Sequence, residues 1–265
     1  MHRLLIALLL SCLAAVTAQA EEFDHQLWDG LLRQHVTTAT QGRATWVDYN
    51  GMQADRGQLQ DYLESLSAVT PASFEQWPAA EQLAFLINAY NAWTVELILS
   101  GWPDIESIKK LGSFFRSPWR KAFIPLLGAT RSLDDIEHKL IRDSDRYREP
   151  RIHFAVNCAS IGCPALRAEA YVGSRLEQQL QEQTRNFLAD RSRNRLRGDI
   201  LELSSIFKWY REDFEKGWQG YQRLADFLLR YADALELPPA ATAKLQAGKL
   251  DIDFLNYDWK LNAKN

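Results

Sequence analysis

From Ala79 to Leu99 the chain carries charge only at Glu81 and Glu96, and apolar residues occupy nearly every helical position. Pro78 stands at the mouth of this run, and Gly101 with Pro103 follows its end, which delimits a helix. A helix that is apolar nearly all round has to be enclosed by other elements. The remainder of the chain is therefore read as a wrapping around this segment.

Apolar residues at helical spacing (Phe23, Leu27, Leu31, Leu32) predict an amphipathic helix over Phe23 to Val36. Its two histidines, His25 and His35, are placed on the polar side and given no role. Trp46 to Tyr49 reads as a short extended piece ending in a turn at Asn50-Gly51. A second helix covers Gln58 to Val69. Trp119 to Leu127 resembles a strand, with Gly128 opening a turn. Ser132, followed by Asp134, Asp135 and Glu137, is a good helix start running to about Arg142. Ile152 to Val156 reads as a buried strand, Ser174 to Leu188 as a helix, and Leu196 to Leu203 as a hairpin around Gly198-Asp199. Helices are expected over Ile206 to Phe214, over Tyr221 to Leu235 and after Pro238-Pro239, and a last strand over Ile252 to Trp259. Phe207, Trp209, Tyr210 and Phe214 read as core. Helices with a few scattered strands predict an α+β fold, a predominantly helical single domain with a small sheet. Regular strand–helix alternation and glycine-rich nucleotide motifs are missing, which excludes a doubly wound nucleotide fold.

The N-terminus has the marks of an export signal: His2-Arg3, an apolar run from Leu4 to Leu10, and Ala18-Gln19-Ala20 as a cleavage site. Residues 1–20 are thus expected to be a signal peptide and 21–265 the domain. A lipoprotein signal ending at Cys12 is the rival reading, and Leu13-Ala14-Ala15-Val16 suits it poorly. Export predicts a periplasmic or extracellular location, an oxidising setting in which disulfides persist. No later apolar run reaches membrane-spanning length, so no integral membrane segment is expected after cleavage. Of 31 basic residues one, Arg3, leaves with the signal, so 30 face 34 acidic ones. That balance carries no nucleic-acid footprint. The basic group Arg185, Arg191, Arg193, Arg195 and Arg197 is interleaved with Asp190 and Asp199 and reads as a solvated loop.

Five patterns recur in order: Leu86-Ile-Asn-Ala-Tyr-Asn-Ala92, Ser132-Leu-Asp-Asp-Ile-Glu-His138, His153-Phe-Ala-Val-Asn-Cys-Ala-Ser-Ile-Gly-Cys-Pro164, Ile206-Phe-Lys-Trp-Tyr210 and Tyr257-Asp-Trp259. In these the chain resembles the domain of unknown function 547 family, from about Gln82 to Trp259. The resemblance implies that Asn88, Asn91, Glu137, His138, His153, Cys158 and Cys163 matter. Gly162 stands where many members of that family carry Ser. The resemblance brings positions and no reaction.

Thiols and imidazoles this close in sequence have several chemistries open to them. Pro164 favours the first turn of a helix, which would put Cys163 at the helix start, where the positive helix end favours a thiolate. His153 or His138 could then act as base, with Asn157, Asn91 or Asn88 orienting the ring. That arrangement would make a thiol-dependent hydrolase or acyl-transferase acting on an amide or peptide-like substrate. The plainer reading is a Cys158–Cys163 disulfide closing a tight loop in an exported protein. Buried unreacted thiols are a third. A metal site from His138, His153, Cys158 and Cys163 would have 14, 4 and 4 intervening residues, which matches no common zinc pattern. No cofactor or metal is therefore expected. Asn88 and Asn91, three apart on the buried helix, share a face. They either fasten a neighbouring backbone or line the pocket beside Cys163. The two functions in play are the thiol enzyme and a non-enzymatic envelope binding domain with a structural disulfide, either one meeting a small-molecule or peptide-like ligand.

Overall fold

A computed structural model describes residues 22–38, 44–113 and 116–264. The export signal expected at residues 1–20 lies outside the described residues. The fold is α+β and predominantly helical. Helix α1 is Gln26–His35. Strands β1 (Val36–Thr38) and β2 (Thr45–Val47) pair antiparallel beside it. Helices α2 (Tyr49–Ala54), α3 (Arg56–Ala68) and α4 (Pro71–Gln76) follow. Helix α5 (Ala79–Leu99) has the bounds read from sequence, and all of its 21 residues except Ala79, Ala80 and Glu96 are buried. Trp28, Leu66 and Ile152 join Phe85, Leu86 and Ile98 of this helix in the larger core.

A second apolar cluster is rich in phenylalanine: Phe154, Phe187, Phe207, Phe214 and Phe227. Around it stand α6 (Leu176–Leu188), α7 (Ile206–Trp209), α8 (Leu224–Arg230), α9 (Pro239–Gln246) and a three-stranded sheet. The sheet runs β5 (Arg195–Arg197), β6 (Ile200–Ser204), β7 (Asp251–Leu255), with β5–β6 the expected hairpin and β6–β7 parallel. The smaller β3 (Ile124–Leu126) and β4 (Ala129–Arg131) form a hairpin closed by Leu127 and Gly128, both at positive φ. No helix among the described residues is long and apolar enough to cross a membrane.

Several expectations are overturned. Ile152 to Val156 is no strand; Pro150–Phe154 is a buried 3-10 turn. The Glu149 carboxylate accepts from the Arg151 amide (2.9 Å) and fixes the turn's start. A short apolar run carries no period that separates strand from buried helix. Asn50-Gly51 lies inside α2, because Asp48 accepts from the Gly51 amide (2.9 Å) and caps a helix there. A Cβ at Gly51 would collide with the His35 imidazole. His25 and His35 are 4% and 5% exposed, not on a polar face, and bond Tyr62 and Asp55 at 2.7 Å each. The strand expected at Trp119 begins only at Ile124, since Pro118–Arg120 is a turn. The helix expected from Tyr221 begins at Leu224, and the last strand ends at Leu255. The arginine group is paired rather than merely solvated: Arg193 bonds Asp190 and the Ile161 carbonyl, and Arg195 bonds Glu202.

Candidate functional site

The site is built where five short segments meet. The first is the helix announced by Ser132, whose hydroxyl accepts from the Asp135 amide (3.1 Å) while Asp135 accepts from the Ser132 amide (2.8 Å). From Asp135 to Arg142 it is wound as a π-helix, and the Asp143 amide reaches back to the His138 carbonyl (2.8 Å). Such windings recur at functional sites. This one carries Glu137, His138 and Arg142. The 3-10 turn brings His153 and the loop after it brings Cys158 and Cys163. Residues 206–214 bring Trp209, Tyr210 and Asp213. The segment after β7 brings Tyr257 and Trp259, and the Pro118–Arg120 turn brings Trp119.

Together these line a cleft of about 180 Å³, with Tyr90 of α5 at its base. One wall is aromatic. Trp209 stacks near-parallel on Trp259, with ring centroids 5.7 Å apart and planes 24° apart. Tyr257 touches both, at 4.9 and 4.4 Å, and Trp119 meets Trp259 edge-on at 5.7 Å. Trp209 is 48% exposed, a large apolar surface left open to solvent.

The floor is polar, and one buried ion pair sets its proton positions. Asp213 is fully buried and accepts from Arg142 Nε (2.6 Å), Arg142 Nη2 (3.1 Å) and His153 Nε2 (2.7 Å). Lys216 Nζ stands 2.8 Å from its other oxygen. Burial opposes the charge on Asp213, but His153, Arg142 and Lys216 hold its carboxyl well below the usual range. Burial pulls the His153 imidazole down against the attraction of Asp213, so the ring is neutral. A carboxylate only accepts, hence the His153 proton sits on Nε2 and its Nδ1 is a bare lone pair. That Nδ1 is buried and has no partner. The ring is clamped by stacking on Tyr210 at 3.9 Å.

His138 is the mirror case. Arg142 Nη1 donates to its Nδ1 at 2.7 Å. A guanidinium has no acceptor, so Nδ1 is unprotonated and Nε2 carries the proton. Nearest to that N–H is Asp134, at 3.9 Å. One imidazole therefore has a free acceptor and the other an available donor, and Arg142 and Asp213 link the two. Glu137 lies buried between the phenols of Tyr90 and Tyr210. Burial, then the Glu137 charge, pushes both phenols well above their ordinary value.

The sulfur chemistry differs from the thiol reading. Cys158 and Cys163 are joined as a disulfide with Cα atoms 6.1 Å apart. Residues 164–167 are irregular, so Pro164 starts no helix and Cys163 occupies no helix start. The Cys158 amide donates to Cys163 Sγ (2.8 Å), and Tyr257 Oη lies 3.1 Å from Cys158 Sγ. The loop is stitched to the chain end by Ile161 N–H to the Lys260 carbonyl and Gly162 N–H to the Asp258 carbonyl, both 2.8 Å.

Of the residues singled out from sequence, His138, His153, Cys158 and Cys163 converge on the cleft. Asn88 and Asn91 do not line it. Asn88 donates to the Tyr171 carbonyl (2.7 Å) and accepts from its amide (3.0 Å). Asn91 donates to the Ala155 carbonyl (3.0 Å) and accepts from the Asn157 amide (2.8 Å). Both are backbone fasteners. Asn157 donates to the Pro164 carbonyl (2.7 Å), closing the disulfide loop, and orients no imidazole. Asp213 went unnoticed in the sequence, and Trp209 and Tyr210 line the cleft beside a true core pair, Phe207 and Phe214. Among the described residues, no group of three or more His, Cys, Asp or Glu side chains is arranged to hold a metal ion.

The family model described as "Protein of unknown function, DUF547" matches residues 74–188. Over that span the chain is similar to this family. The matched span holds Tyr90, Glu137, His138, His153 and the disulfide, whereas Trp209, Asp213, Tyr257 and Trp259 lie beyond it. No curated protein and no solved structure matches the chain.

Proposed function

We propose that this protein binds a small polar molecule in the cleft, and that the Cys158–Cys163 bridge shapes the wall rather than reacting. One observation carries the reading: an open aromatic wall stands beside polar groups on the same cleft, among them a half-exposed His138 whose Nε2–H has no close partner and the Asp134 carboxylate. Concave sites with an apolar wall and a few converging polar groups are the usual form of small-molecule sites. The proposal includes an exported location, in keeping with a disulfide that persists only in oxidising surroundings. A fragment library screened by NMR against the indole N–H and imidazole signals tests it. Shifts confined to Trp209, Trp259, His138 and their neighbours are expected. A library that moves none of these signals would sink the reading.

A second reading, the thiol-dependent hydrolase or acyl-transferase, is favoured by the amide aimed at Cys163 Sγ and by the His153–Asp213 pair in the same cleft. It requires a dithiol reductant to cleave the bridge first, converting the disulfide to two thiols. Intact mass with a thiol alkylator separates the two. A two-dalton deficit that only reductant removes supports the structural bridge. Alkylation of Cys163 at low pH without reductant supports the enzyme.

A further inference from the structure

We infer that the occupant of the cleft is an acidic saccharide, with one pyranose ring lying on Trp209 and its anionic substituent at the mouth; this rests on the binding reading above. The first argument is the shape of the wall. Each aromatic side chain touches the next, at 4.4 to 5.7 Å. Rings in mutual contact leave no central gap, so they present a surface rather than a cage around a cation. Lys109 Nζ already covers the Trp259 ring at 3.6 Å. The open aromatic face is that of Trp209. A surface with one open face suits a ring with apolar C–H groups on one side and hydroxyls at its edge.

The second argument is the floor. A pyranose edge offers several hydroxyls, each both donor and acceptor. His138 Nε2–H donates, and the Asp134 carboxylate on the same lining accepts only. A mixed set of this kind matches hydroxyls better than it matches a cation, which could only donate, or an anion, which Asp134 would repel. A volume of about 180 Å³ holds one such ring rather than a larger ligand.

The third argument is charge at the mouth. Lys109 Nζ lies on the ring of Trp259, which lines the cleft. The lysines in ion pairs among the described residues are Lys139, Lys216 and Lys244, so Lys109 has no carboxylate partner among them. A carboxylate or sulfate on the sugar, directed outward, meets this cation while the neutral ring faces the floor.

The test is titration of the full-length protein, followed by tryptophan fluorescence and calorimetry. The probes are trigalacturonate, a hyaluronan tetrasaccharide, cellotriose and tetramethylammonium. We expect saturable binding of at least one acidic saccharide, at least tenfold tighter than cellotriose and weakened several-fold by 0.5 M salt. Trp209→Ala should lower that affinity tenfold or more, and Trp209→Phe should restore most of it. Lys109→Ala should weaken the acidic saccharide and leave cellotriose unchanged. Thermal melts of each variant establish that the fold is intact. If neither acidic saccharide binds, or if cellotriose binds equally well, the assignment is overturned. The fragment screen above reads occupancy independently, so cleft shifts there without saccharide binding here reject the ligand class alone.

Discussion

Two pairs of polar side chains, the amides Asn88 and Asn91 and the imidazoles His138 and His153, differ in one respect. Asn88 and Asn91 on α5 each have a donor and an acceptor bonded to backbone. His138 and His153 each have one ring nitrogen bound to the Arg142–Asp213 pair and the other uncommitted to a hydrogen bond. Asn91 holds the backbone just after His153, Asn88 holds that of Tyr171, and the two imidazoles line the cleft. Buried polarity alone therefore says little about function. Hydrogen-bonding capacity left unmet beside a cavity says more.

The comparison can be broken at its joint. Asp213→Ala leaves Arg142, Lys216 and His153 facing one another without a counter-charge. Breaking a buried pair in this way costs about 3–5 kcal/mol, and the melting temperature should fall by roughly 10 °C. An unchanged melting curve would show that the pair does not organise the floor.

His25 supplies a buried imidazole remote from the cleft. Its Nδ1 bonds Tyr62, its Nε2 has no partner, and burial lowers its pKa to about 4. Between pH 6.5 and 4 the unfolded chain binds a proton that the folded chain refuses. Stability is thus full above pH 6.5 and declines as pH falls to 4, by about 3 kcal/mol. Denaturant titrations across this window should show that slope, and His25→Gln should flatten it.

The amide clamps come next. Asn91→Ala strands the Ala155 carbonyl and the Asn157 amide in a buried place, at a cost of about 2–3 kcal/mol. Chemical denaturation should report this loss, while fragment shifts at Trp209 persist once the protein is folded. Cys163→Ser opens a short loop and should remove about 2 kcal/mol, measured the same way. Smallest is Trp209→Ala, whose half-exposed ring contributes less than about 0.5 kcal/mol. A loss of ligand signals without a loss of stability would separate the wall from the framework.

The parts of this fold that sequence revealed are those with local causes. Helix α5 is written in an unbroken apolar run between Pro78 and Gly101, and the Ser132 start in a side chain that caps its own helix. The hairpin β5–β6 follows from Gly198-Asp199. The 3-10 turn at Pro150–Phe154 was hidden, because an apolar pentapeptide buries equally well as strand or turn. Proline after Cys163 was a permissive signal for a helix, and no capping residue or periodic run followed to enforce one. In the site, the imidazoles and cysteines were legible through their crowding in the chain. Asp213 was not, since it lies 60 residues from His153 and nothing near it in sequence announces the pairing. The exposed side of Trp209 was masked by its core neighbours Phe207 and Phe214. Tyr257 and Trp259, spaced two apart, fit the alternation of a strand, yet the strand ends at Leu255.

Gly162 fixes how much room a guest can have. The Tyr257 ring rests directly on this residue, and a Cβ there would stand 2.9 Å from three ring carbons. Even an alanine would lever the phenol away from its seat and carry Trp259 with it. The capacity of the hollow is thus metered by an atom that the chain leaves out.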